Sequence, residues 1–211
     1  MSKFQTGLPK KMRGLLGAAL AAVATASPAA ANPLLPPMVD YVADVEITRA
    51  TDHSVNVPAR YVYSSRRIRI DYVGIVTLVD LDRKHATTMI PRVRTYWAPV
   101  ALAKPPADGR RWVGVEATTA EAVGTETLLG RAVTKYRVRG TVFDTRTPFE
   151  GFVWTTAENI AVQIDGTGQV EGIGTPVKVT PVQLTIGPAD MSLLSVPSTY
   201  GRASGAPHPI D

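Results

Sequence analysis

No cysteine occurs among the 211 residues. That absence removes thiol nucleophiles, disulfide exchange, thiolate-bound metals and a lipid-modified N-terminal cysteine together. A chain of this length can build a core large enough to fold without disulfide staples. Histidine is nearly as scarce, and His53, His85 and His208 are widely spaced. The acid–histidine neighbourhoods are Asp52-His53 and the group Asp80, Asp82 and His85, and neither has the spacing of a metal motif. Asp80-Leu81-Asp82 ahead of Arg83-Lys84 reads instead as turn chemistry. There is no G-x-S-x-G nucleophile elbow, and Gly166-Thr167-Gly168 lacks the Lys-Ser/Thr that a phosphate cradle requires. The chain is therefore read as non-enzymatic, with no catalytic residue, no cofactor and no metal.

Long apolar runs are missing too, except at the start. Residues 15–26 (LLGAALAAVATA) are uncharged and apolar, with Lys10, Lys11 and Arg13 before them and Ala29-Ala30-Ala31 after them. A basic start, an apolar middle and a small-residue end form the layout of a secretory signal peptide. The run is well short of the roughly 20 residues of a spanning helix. Residues 1–31 are accordingly expected to be a cleaved signal, leaving a periplasmic protein with no stable membrane insertion. Cleavage also changes the charge balance. The whole chain has 23 Lys+Arg and 18 Asp+Glu, and Lys3, Lys10, Lys11 and Arg13 leave with the leader, so 19 minus 18 gives +1. Nucleic-acid binding needs a net basic, clustered surface, so nucleic acid is excluded as a partner.

What remains alternates with a period of two, the signature of strands with one buried face. Tyr41, Ala43, Val45 and Ile47 oppose Asp44, Glu46 and Thr48. Val57, Ala59, Tyr61 and Tyr63 oppose Arg60 and Ser64, while Ile68, Ile70 and Tyr72 alternate with Arg67, Arg69 and Asp71. Residues 75–81 (IVTLVDL) suit burial on both faces. Asp82-Arg83-Lys84 suits a hairpin turn before a strand pair at 85–90 and 95–100. Further strands are expected at 132–143, 151–156, 160–164 and 177–186. Residues 118–123 (TTAEAV) suggest a short helical turn, and the glycine-rich 166–175 a mobile connection. The alternation of 177–186 changes phase at Thr180-Pro181, which points to a bulge or an edge position.

Nine to eleven antiparallel strands with a few short helices define a mainly β domain over 32–197. The expected architecture is a strongly curved sheet or open half-barrel, followed by a disordered tail at 198–211. Such a sheet leaves a concave apolar face. The candidate ligand-binding residues on it are Tyr61, Tyr63, Ile68, Ile70, Tyr72, Tyr136, Val138, Phe152 and Trp154, with Arg67 and Arg69 at the rim.

Three ordered segments carry a family resemblance. Residues 61–99 (YVYSSRRIRIDYVGIVTLVDLDRKHATTMIPRVRTYWAP) contain R-x-D, D-x-D-x-K and M-x-P…T-Y elements. Residues 126–141 (ETLLGRAVTKYRVRGT) follow. The third segment is residues 151–164 (GFVWTTAENIAVQI) with the closing stretch 193–200 (LLSVPSTY). Together they resemble the periplasmic LolA/LolB-like superfamily, most nearly an uncharacterised secreted branch of it. The resemblance implies a half-barrel whose cavity shields lipid or lipoprotein acyl chains in the manner of a lipoprotein carrier. The alternative it implies is an envelope-stress or protein-interaction module with a closed core and an envelope protein as partner. The segments that form a helical lid in the carriers look short or absent here, and fold does not fix function.

Overall fold

The computed structural model describes residues 36–48, 56–101, 115–142, 147–170 and 173–205. The expected leader lies outside them, as does His53. Among the described residues the chain is mostly strand: β1 (Tyr41–Thr48), β2 (Asn56–Ser64), β3 (Arg67–Tyr72), β4 (Ile75–Asp80), β5 (His85–Ile90), β6 (Thr95–Tyr96) and β7 (Val100–Ala101). The longer strands follow as β8 (Val115–Leu128), β9 (Arg131–Val142), β10 (Thr147–Thr156), β11 (Ala161–Val170) and β12 (Ile173–Ile186), with a short β13 (Gly201–Arg202) last. All join one sheet in the order β13-β6-β5-β4-β3-β2-β1-β12-β11-β10-β9-β8, with β7 against β5. The path has two ends and does not close. It is the curved, open half-barrel that the alternation anticipated.

Cross-strand register fixes which side chains share a face. One row runs Ala43 to Tyr61 to Ile70 to Thr77. Another runs Val179 to Ile164 to Val153 to Tyr136. With Tyr41, Val45, Ile68, Val138 and Phe149 they form the main core, on what we call the inner face. Alternate residues occupy the outer face. There a smaller cluster of Val76, Leu78 and Met89 is covered by Tyr96, Val196 and Tyr200. This explains why 75–81 is apolar at nearly every position: Val79 and Leu81 are buried on one side, Val76 and Leu78 on the other.

Hairpin turns are tight. Ser65-Arg66, Val73-Gly74 and Leu129-Gly130 each have positive φ at both central residues, as the twist-matched two-residue turn requires. Asp80 organises the β4–β5 turn by accepting from the backbone N–H groups of Asp82 and Arg83. The phase slip at Thr180-Pro181 is a bulge: Asp44 faces Gln183 but Val45 faces Pro181, leaving Val182 as the extra residue. Pro181 has no N–H to give, and it lies beyond the last pair of the β11–β12 ladder, Ile164 with Val179.

Three expectations are corrected. Residues 118–123 belong to β8, paired with β9 over its whole length; the ladder with a long neighbour outweighs weak local helix preference. The glycine-rich stretch expected to be a mobile connection is ladder, as β11 and β12 pair through Gln169 with Gly174. Its glycines answer a packing need. A Cβ on Gly166 would sit 2.6 Å from the Phe149 ring and 2.7 Å from the Gly151 Cα, and Gly151 is equally crowded. Lastly, the tail expected to be disordered from Ser198 is placed through residue 205, with Gly201-Arg202 parallel to Thr95-Tyr96. Tyr200 anchors it by packing on the outer cluster.

Candidate functional site

Seven of the nine apolar candidates share the inner face. Tyr61, Tyr63, Ile68, Tyr136 and Val138 are buried there, and Ile70 and Tyr72 pack against them half-buried. Phe152 and Trp154 also pack with this core, Trp154 as a buried member, but their register sets their side chains to the opposite face of the sheet. Val153 faces Ile164 and Tyr136, so its neighbours are turned to the outer face, opposite Arg137 and Lys135. The run Phe152-Val153-Trp154 is apolar at all three positions, which hides the phase of β10 from the sequence. The flanking strands carried the missing signal, because Lys135 and Arg137 alternate with Tyr136 and Val138.

The inner face varies along the strands. At the end bearing the β2–β3 turn it is sealed: Tyr41 is 0 %, Ile68 2 % and Ile160 0 % exposed. Tyr41 stacks on its ladder partner Tyr63 at 5.6 Å between ring centres and 11° between planes. At the opposite end Ile47, Ile70, Tyr72 and Val177 pack against the core while keeping part of their surface open. Burial pushes the phenols of Tyr41, Tyr61, Tyr63 and Tyr136 up from their ordinary value. Desolvation disfavours the phenolate, so this wall is uncharged at physiological pH. Thr155 places a fully buried hydroxyl oxygen among the buried residues without a hydrogen-bond partner.

Arg67 and Arg69 point to the outer face. Arg69 contacts Asp71 at 2.9 Å and donates to the Leu193 carbonyl at 3.0 Å, with its side chain 18 % exposed. It is a tether for the C-terminal segment. Arg67 lies 3.8 Å from Asp80. The segment held by Arg69 includes the 3-10 turn Met191–Leu194, capped by Asp190 through the Ser192 N–H. Ser64 adds a hydroxyl contact to Met191 Sδ at 3.4 Å. We call residues 187–203 the strap.

Beside the strap the outer face is open. A cleft of about 740 Å³ lies near Asp44, Arg60, Arg69 and Asp71, walled by Pro91, Arg92 and the bulged Val182. A second, of about 590 Å³, lies over β9–β11 and is lined by Lys135, Arg137, Glu150, Phe152, Gln163 and Asp165, among others. In it the Lys135 ammonium sits 4.7 Å from the Phe152 ring centre and 4.6 Å from that of Trp154. The Trp154 indole N–H donates to Glu126 at 2.8 Å. That bond, with Lys135 at 3.3 Å, holds the Glu126 carboxyl below its ordinary pKa. A third cleft of about 480 Å³ contains Arg67, Asp80, His85 and Leu194. Among the described residues no group of three or more His, Cys, Asp or Glu converges to hold a metal. No helix among them is long and apolar enough to cross a membrane.

No family model matches the chain, and no curated protein matches it in sequence. Among solved structures it shows low similarity to several. A LolA superfamily protein from Nitrosomonas europaea is 9% identical, with TM-score 0.41, and the match covers 78% of this chain and 94% of that one. A DUF1329 family protein from Desulfovibrio piger is 10% identical, with TM-score 0.33, covering 77% of this chain and 91% of that one. PNGF-II is 10% identical at TM-score 0.42, covering 78% of this chain; this chain spans only 30% of PNGF-II.

Proposed function

We propose that this is a non-catalytic, exported cell-envelope protein that holds a lipid or lipoprotein acyl chain against its inner face. One observation carries the reading: the inner face is largely apolar and passes from sealed, at Tyr63 and Ile68, to half-open, at Ile70 and Tyr72. A chain entering at the open end meets Tyr72 and Ile70 first, then Tyr61, Tyr63 and Ile68, with Tyr136 and Val138 across the sheet. Acyl transfer into an apolar site contributes about 0.8 kcal/mol per methylene. A long chain therefore contributes roughly 10 kcal/mol before ordering costs. Phe152, Trp154, Arg67 and Arg69 have no part in this path.

The test is native mass spectrometry of protein purified from the periplasm, with titration of a fluorescent fatty acid. Co-purifying lipid and saturable uptake, weakened by Tyr72→Asp at the mouth, are expected. Absence of both lipid and uptake overturns the proposal. The sealed end, with Tyr41 and Ile160 at 0 % exposure, favours a second reading, an envelope protein-interaction or stress-sensing module closed by its own side chains. A discrete partner captured by cross-linking in cells, with no lipid found, selects that alternative.

A further inference from the structure

The outer face of β9–β11 carries a second arrangement, independent of the acyl-chain reading. Register aligns two three-residue rows across these strands. One is Arg137, Phe152 and Asp165; the other is Lys135, Trp154 and Gln163. Each row places a cationic donor on β9, an aromatic ring on β10 and an oxygen acceptor on β11. Strand spacing puts donor and acceptor columns roughly 9.6 Å apart, with the rows about 6.8 Å apart along the strands. Both rows, with Glu150, line the same open cleft of about 590 Å³. Among Lys135, Arg137, Glu150 and Asp165 the formal charge sums to zero, two cations against two carboxylates.

A nucleic acid or anionic headgroup would meet Glu150 and Asp165, and an organic cation would meet Lys135 and Arg137. Lys135, Arg137 and Glu150 have ion-pair partners in Glu126, Glu121 and Arg139, so the groups that an acyl chain would cover without offering a hydrogen bond are Gln163 and Asp165, at the desolvation cost of buried polar atoms. A neutral ring bearing hydroxyls can serve Gln163, Asp165 and Arg137 without bringing a like charge to either sign. Its C–H face lies on the side of the Phe152 ring away from the Lys135 ammonium, which sits 4.7 Å from the ring centre; Phe152 keeps some surface open whereas Trp154 is buried. Its hydroxyls donate to Asp165 and Gln163 and accept from Arg137. Trp154 is held as a wall by its bond to Glu126 and by the Lys135 ammonium. Beneath, the backbone of Gly151 and Gly166 closes the floor, fixed from the inner face by the Phe149 ring.

We propose that the outer cleft of β9–β11 binds a neutral saccharide through these two donor–aromatic–acceptor rows. Saturation-transfer difference NMR on the full chain with cellotetraose, maltotetraose and chitotetraose at millimolar concentration tests it. Transfer to ring protons of at least one sugar is expected, unchanged by raised salt because no net charge is involved. Gln163→Ala with Asp165→Ala should weaken it about tenfold or more, as loss of two hydrogen bonds implies. Phe152→Leu, which keeps apolar volume but removes the ring, should also weaken it. Fatty-acid uptake by these variants should not change, which separates this site from the inner face. No transfer from any of the three sugars overturns the proposal. So does transfer that survives the double substitution in a folded variant, or transfer abolished by salt.

Discussion

The guanidinium of Arg69 donates to the carbonyl oxygen of Leu193, 124 positions further along the chain, at 3.0 Å. The same side chain is fixed by Asp71, so a strand near the start of the sheet clamps the strap that closes over its outer face. Beneath the strap lie Val76, Leu78 and Met89. Arg69→Met keeps the stem and removes the donors, and should cost about 1–2 kcal/mol in urea unfolding. Amide exchange should rise selectively over 191–203. Unchanged exchange there would mean that the strap is held by its apolar contacts alone.

Two hairpin tips carry aliphatic residues in the left-handed region, Val73 at φ 52° and Leu129 at φ 51°. A bulky aliphatic residue is strained at such an angle, the β-branched Val73 most of all, and both side chains are exposed. Asn-Gly is the preferred pair for this turn. Val73→Asn and Leu129→Asn should each stabilise by roughly 0.5–1 kcal/mol, and together additively because they lie in separate hairpins. Thermal melting of the single and double variants checks this. A loss of stability in either would show that its aliphatic side chain contributes packing.

Gly151 and Gly166 face each other across β10 and β11, with Phe149 over both. A methyl on Gly166 would lie 2.6 Å from the Glu150 carbonyl oxygen, an obstacle that no rotamer change removes. Gly166→Ala should therefore destabilise by about 2 kcal/mol or more. Adding Phe149→Ala should recover little of the loss, since backbone atoms remain in the way. Denaturant midpoints of the two single variants and the double variant decide it.

Alkaline pH should weaken the fold through its tyrosines. Burial raises the folded-state pKa of Tyr41 and Tyr61 above 10.0, whereas the unfolded chain ionises near its ordinary value, about 10. The stability from keeping these phenols neutral is complete below that pH and is lost as pH rises from there towards the folded-state values. Absorbance at the phenolate band should show these residues ionising together with unfolding. Tyr61→Phe should make the alkaline loss less steep. Independent titration of all tyrosines before unfolding would contradict it.

At the acid end the sign reverses. The Trp154 indole, aided by Lys135, holds the folded-state pKa of Glu126 down. The associated stability is present above the unfolded carboxyl value and is lost as pH falls through the folded one. Glu126→Gln should flatten the acid limb of the stability curve and shift tryptophan emission near neutral pH. A wild-type acid limb in that variant would dismiss the interaction as a source of pH dependence.

Much of the fold was legible along the chain because strand alternation is local. Tyr41 to Ile47, Val57 to Tyr63 and Ile68 to Tyr72 declare their faces within a few residues, and the phase change at Pro181 declared its bulge. The misread elements lacked a local signal. The strand over 118–123 depends on β9, the ordered tail on Tyr200 reaching the outer cluster, and the Gly166 ladder on a ring seventeen residues upstream, Phe149. For the site, the seven inner-face residues followed from alternation. The face taken by Phe152 and Trp154 needed the register, because three consecutive apolar residues carry no phase of their own.

Composition and periodicity by themselves determined that this protein is a single curved β-sheet with one apolar face, free of thiol chemistry. Those properties follow from which residue types are present and how often they recur. Only the tertiary structure decided that the apolar candidates divide between two faces, that Arg69 serves the strap, and that Arg137, Phe152 and Asp165 stand in one row. The physical reason is register. A side chain's face is set by its own strand, but its neighbours are set by strands tens of residues away, and a one-residue slip reassigns them all.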